Sequence, residues 1–169
     1  MRYGSKRVLV GIEDSESSKR VLEYIADLAS GNDGFVIHVS HAVGPVPPEL
    51  REFRGVEDPK TERELDLQLR RRREEWIQLA KEKAQPLLQK AKSQLSAGGI
   101  PSNNVAADVM LLDHEEDFIG ELLNTAAKNR CGTIVVGKNY LPWFKELFAS
   151  HTGEELLKRS EGFAICVVQ

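Results

Sequence analysis

The sequence predicts an α/β domain: a parallel sheet of five strands with helices on both faces. Three observations carry that prediction. Aliphatic and β-branched runs, RVLVGIE, GTIVVG and FAICVV among them, have the unbroken apolar character of strands buried on both sides. Between them stand segments whose apolar residues recur at three- and four-residue spacing, which is helical periodicity. The two kinds of segment alternate as β-α-β-α-β-α-β-α-β, the order of a doubly wound sheet.

Each element has local support. Arg7 to Glu13 is the first strand, and Asp14, Ser15, Ser17 and Ser18 offer caps for a helix over Ser17 to Ser30, with Val21, Leu22, Ile25, Leu28 and Ala29 on its apolar side and Gly31 as its stop. Phe35 to Val43 is the second strand. A Pro- and Gly-rich stretch from Gly44 to Pro59 reads as a loop across the rim of the sheet. A long, charged helical region follows over about 61–97, its face marked by Leu65, Leu69, Arg73, Trp76, Ala80, Ala84, Leu87, Ala91 and Leu95. Pro86 removes a backbone donor inside it, so a kink or two helices in tandem are expected. Val105 to Leu112 is the third strand, Glu116 to Arg130 the third long helix, Gly132 to Gly137 the fourth strand, and Phe163 to Val168 the fifth. Ser150 or Thr152 can cap a last helix through Arg159.

The chain has 169 residues, 23 Lys and Arg, 26 Asp and Glu, and a net charge of −3. One domain over 1–169 accounts for that length. No apolar run approaches the ~20 residues that span a bilayer, so no membrane association is expected. Two cysteines without metal or redox spacing suit a reduced, cytoplasmic protein, and neither is assigned chemistry. A mildly acidic balance makes nucleic acid an unlikely partner. The charge is uneven: Lys60 to Lys92 carries ten basic and six acidic residues, a local +4 that leaves −7 elsewhere. The Arg70 to Arg73 run reads as a solvated helix face with Asp66, Glu74 and Glu75 as partners.

Open parallel sheets bind ligands outside the carboxyl ends of their strands. In those positions VLVGIEDSESS, VSHAV and GTIVVG, followed by a loop, a short helix and FAICVV, resemble the universal stress protein family over essentially the whole chain. The resemblance implies the strand order 3-2-1-4-5 and a homodimer through the last strand, Phe163 to Val168. It also implies either an ATP site or its loss. ATP-binding relatives carry glycine, two residues, glycine, nine residues, then glycine and Ser or Thr after the fourth strand. Glycines admit phosphate oxygens to the backbone, and the hydroxyl adds a donor. Here those positions are Gly137, Tyr140, Ser150 and His151, so one of four matches. Glu13-Asp14-Ser15 stands where relatives have an Asp-Gly-Ser-like or Asp-x-Ser turn, and Glu116-Asp117-Phe118 where they have a Gly-Asp-Pro-like turn.

Glu13, Asp14, Asp113, Glu115, Glu116 and Asp117 crowd the same edge, against Lys138 and Lys145. A polyphosphate would meet repulsion there. These acids suit the first turns of the helices behind them; a cation site drawn from Glu13, Asp14, Asp113, Glu115 and Glu116 is the sharper alternative. His41 reads as a hydrogen-bonded strand-end residue, His151 as the start of the last helix, His38 as facing a helix layer and His114 as solvated, with no catalytic set among them. The apolar loop from Lys138 to Ala149 reads as local packing by Trp143 and Phe148, or as a cover over the cleft. The expectation is a non-enzymatic binding or regulatory protein with no cofactor. One alternative is an adenine-nucleotide binder that takes ATP or AMP with Mg through Glu13, Asp14, Ser15, Ala42, Gly137, Tyr140, Ser150 and His151. The other is a dimeric adaptor.

Overall fold

The computed structural model describes residues 6–32, 34–51, 58–114, 118–138 and 158–169. Five parallel strands, β1 (Arg7–Ile12), β2 (Val36–Val43), β3 (Val105–Leu111), β4 (Thr133–Gly137) and β5 (Ala164–Val168), form one sheet in the order β3-β2-β1-β4-β5. The helices are α1 (Glu16–Ala29), α2 (Pro59–Ala97) and α3 (Phe118–Lys128). Of the expected last helix, Lys158 and Arg159 are described as helical and the rest lies outside the described residues.

Strand alternation divides the core in two. Val8, Val10 and Ile12 of β1 meet Val21, Leu22 and Ile25 of α1 and Leu88, Ala91 and Leu95 of α2 on one face. Leu9 of β1 and Ile134 and Val136 of β4 meet Phe118, Leu122 and Ala126 of α3 on the other. β1 lies at the centre of the sheet, and five of its six residues are buried.

Of the two expectations for the long helix, a kink or a division in two, the structure removes the division. α2 is one helix of 39 residues, not two in tandem. Pro86 is exposed, as is Glu82 one turn before it, so the carbonyl that loses its donor lies on the water side of the helix. Ala84 and Leu88 hold the helix to the core on either side of that point. The Asp58 carboxylate caps its start by accepting from the Thr61 amide at 3.1 Å, and Pro59 occupies the first turn, where its missing donor costs nothing.

The described start of the rim loop, 44–51, is pinned to the end of β3. The Val46 amide donates to the Leu112 carbonyl at 2.9 Å, and Val46 and Leu50 are buried. Gly44 lets the chain pass: with φ at +127°, a Cβ there would lie 2.5 Å from the Leu112 carbonyl oxygen.

Candidate functional site

Of the residues that the sequence singles out, the described ones, Glu13, Asp14, Ser15, Ala42 and Gly137, lie at the carboxyl ends of their strands but do not form one constellation. Ser15 is the N-cap of α1. Its hydroxyl accepts from the Ser18 amide at 3.2 Å, while the Ser18 hydroxyl accepts from the Glu13 amide at 2.8 Å. Both serines are thereby committed to the turn that joins β1 to α1. Glu13, Asp14 and Ser15 line a shallow recess of about 20 Å³ between α1 and α2, with Leu22, Leu87 and Ala91 among its apolar walls and Lys19 and Lys90 at its rim. That volume holds little more than a water and falls far short of small-molecule sites.

Gly137 stands on the other flank of α1. A Cβ built there would lie 2.1 Å from Ser17 Oγ and 3.1 Å from Ser17 Cβ. The space that its missing side chain leaves is taken by the first turn of α1. Ser17 is 3% exposed, and its hydroxyl has no hydrogen-bond partner among the described residues. Ala42 is elsewhere again: it packs with the α3 cluster, on the face of the sheet opposite the recess. Tyr140, Ser150 and His151 lie outside the described residues, as do Trp143, Phe148, Glu115, Glu116 and Asp117.

Charge at this edge differs from the expectation. Asp113 does not stand as bare negative charge: Arg73 reaches across from α2 and donates to its Oδ1 at 2.6 Å. The Arg70 to Arg73 run is therefore not wholly solvated, although Arg70 does pair with Asp66 at 3.0 Å. Nor is His114 simply solvated. Arg51 donates to its Nδ1 at 2.7 Å and also to the Val46 carbonyl. Arg51 and Arg73 were missed as site residues; the signal for Arg73 was its helical phase, which it shares with Trp76 and Ala80. Among the described residues, no three His, Cys, Asp or Glu side chains come together as metal ligands.

The remaining histidines sit as fixed strand residues. His41 Nδ1 is 2.9 Å from the Ile12 carbonyl, which can only accept, so the hydrogen lies on Nδ1. His38 is buried on the α3 face, and its Nε2 is 3.1 Å from Asp108 Oδ1. Ser40 shares that face, but its buried hydroxyl has no partner among the described residues and so bonds to neither His38 nor Asp108. Burial pushes the Cys131 thiol up to about 11, which keeps it protonated and unreactive at neutral pH.

The family model of the universal stress protein family matches residues 4–162. The chain belongs to the universal stress protein family. Solved structures agree at the level of fold. A universal stress protein from Burkholderia pseudomallei is 19% identical, with a TM-score of 0.54 over 97% of this chain and 96% of that one. A universal stress protein in complex with cAMP is 16% identical, with a TM-score of 0.57 over 96% and 95%. One from Archaeoglobus fulgidus in complex with dAMP is 15% identical, with a TM-score of 0.52 over 96% and 97%. No curated protein matches the chain. Within this universal stress protein, no helix of the described residues is long and apolar enough to cross a membrane.

Proposed function

We propose that this universal stress protein is a cytoplasmic, non-enzymatic binding or regulatory protein that does not hold ATP through the phosphate loop of its ATP-binding relatives. One observation carries the reading: Ser17 fills the space beside Gly137, so the one motif glycine that remains serves the seating of α1 on β4. The residues at the other three motif positions, Tyr140, Ser150 and His151, argue in the same direction.

A second reading is an adenine mononucleotide binder. Its support is that two relatives of the same fold are complexes with cAMP and dAMP, each with a single phosphate that asks less of a loop than three do. Extraction of nucleotide from the freshly purified protein, followed by calorimetric titration with ATP and AMP with and without Mg²⁺, tests both. No co-purifying nucleotide and flat titrations are expected. Micromolar ATP affinity would overturn the first reading, and AMP binding without ATP binding would favour the second. We also propose a homodimer through Phe163 to Val168; sedimentation should show a dimer that Ile165→Pro weakens, because that edge would lose a ladder donor.

A further inference from the structure

α2 is longer than the sheet it packs on. Its 39 residues span ~58 Å, whereas strands of five to eight residues cover ~17–26 Å. All four of its buried residues, Ala84, Leu88, Ala91 and Leu95, lie in its C-terminal part, and none of residues 59–83 is buried. Arg73 marks the level of the sheet's edge, because it meets Asp113 just past the end of β3. The turns of α2 before Arg73 stand beyond that edge.

This overhang carries an apolar stripe. Leu65, Leu69, Trp76 and Ala80 follow one another at intervals of four, seven and four, which keeps them on one side of an α-helix. Steps of seven then lead to Leu87 and Gln94, which line the recess against α1, and the Gln94 side chain donates to the Lys19 carbonyl at 3.5 Å. The stripe therefore runs along the α1 side of the helix, about a quarter turn from Leu88 and Leu95, which hold it to the sheet. Its four apolar members in the overhang are only half-buried, and Leu79 at its margin is 55% exposed. An exposed apolar stripe of this kind marks a contact surface.

The same side is basic. Arg72, Lys83 and Lys90 fall on it, are exposed, and make no ion pair or hydrogen bond with the described residues, whereas Asp66 and Asp113 engage Arg70 and Arg73. Glu62, near the start of the helix, is the acid that shares this side. We infer that this face of α2 binds an acidic amphipathic helix of another protein, its apolar residues against Leu65, Leu69 and Trp76 and its carboxylates against Arg72, Lys83 and Lys90. The inference rests on the reading of this chain as a binding protein and names the chemistry of its partner. A helix suits because the backbone of α2 is hydrogen-bonded within itself and offers only ridges and grooves of side chains. Carboxylates suit the three cations. A second copy of this face would set those cations against each other, and a nucleic acid would leave the apolar stripe uncovered.

Trp143→Phe leaves Trp76 as the chain's single tryptophan, so its emission reports occupancy of the stripe. The probe is a synthetic helical peptide of about 20 residues with leucines at intervals of four and three and glutamates on its flanks; the control carries lysines at the glutamate positions. The acidic peptide is expected to shift Trp76 emission to the blue with micromolar affinity that weakens about tenfold between about 50 and 500 mM salt, and the basic one to leave it unchanged. Arg72→Glu combined with Lys83→Glu, both at exposed positions, should exchange that preference at an unchanged urea midpoint. Equal binding of the two peptides, or none, overturns the inference, as does tighter binding of a single-stranded oligonucleotide. So does an emission already blue in the free protein that Phe144→Ser with Phe148→Ser turns red, since a segment of this same chain would then occupy the face. The peptide and ATP titrations fail separately: micromolar ATP affinity overturns the phosphate-loop reading and leaves this inference standing, and absent peptide binding does the reverse.

Discussion

The two flanks of the first turn of α1 face the same edge of the sheet and are built in opposite ways. Toward α2, Ser15 and Ser18 fold into the turn and leave a recess walled by Leu22, Leu87 and Ala91. Toward β4, Ser17 closes the space beside Gly137. The difference teaches that a glycine which the family resemblance places in a phosphate-loop position can be required by helix packing instead, since the contact that needs it is made by the protein itself.

Gly137→Ala should break this comparison most strongly. The new methyl would meet Ser17, an overpacking expected to cost about 1–3 kcal/mol in urea unfolding. Adding Ser17→Gly should recover part of that loss, and an additive double mutant would show the two residues do not share the space. Next comes Ser15→Ala on the open flank, where loss of the cap should cost about 1 kcal/mol. Arg73→Ala, which releases Asp113, should change stability by less than about 1 kcal/mol, because the pair is partly exposed. Smallest is Ser17→Ala, expected to be neutral or slightly stabilising because the buried hydroxyl it removes has no partner among the described residues.

Acid sharpens the contrast between helix starts. The α2 cap, Asp58, is held below its usual carboxylate range by the Thr61 side chain and then by the Thr61 amide. A depressed carboxylate contributes above its unfolded value and loses that contribution as pH falls through the lower folded value. Protection of the Thr61 amide, measured against its intrinsic exchange rate, should therefore fall below about pH 4, while the amide of Ser18, capped by a neutral serine, should keep its protection.

Much of the fold was legible because it is written locally. The aliphatic runs of β1, β4 and β5 fall within a residue of their observed limits, and Ser15 was among four cap candidates. What escaped depends on contacts distant in sequence or on the direction a residue faces. Pro86 left two helices in tandem open as an alternative to a kink because sequence does not say that it points to water. Asp113 and Arg73, 40 residues apart, belong to separate charge anomalies in the sequence that the fold joins into one pair. Ala42 falls on the far face of the sheet because strand alternation places it there, and the strand's phase relative to the recess is not a local property. Gly137 matched a motif, while the residue that explains it, Ser17, lies on another element.

Equilibrium dialysis of labelled ATP against the purified protein, with and without Mg²⁺, tests the central claim most directly. Retention no higher than in a protein-free chamber is the expected result at micromolar protein. Saturable, micromolar retention that Gly137→Ala abolishes without loss of folding would contradict it.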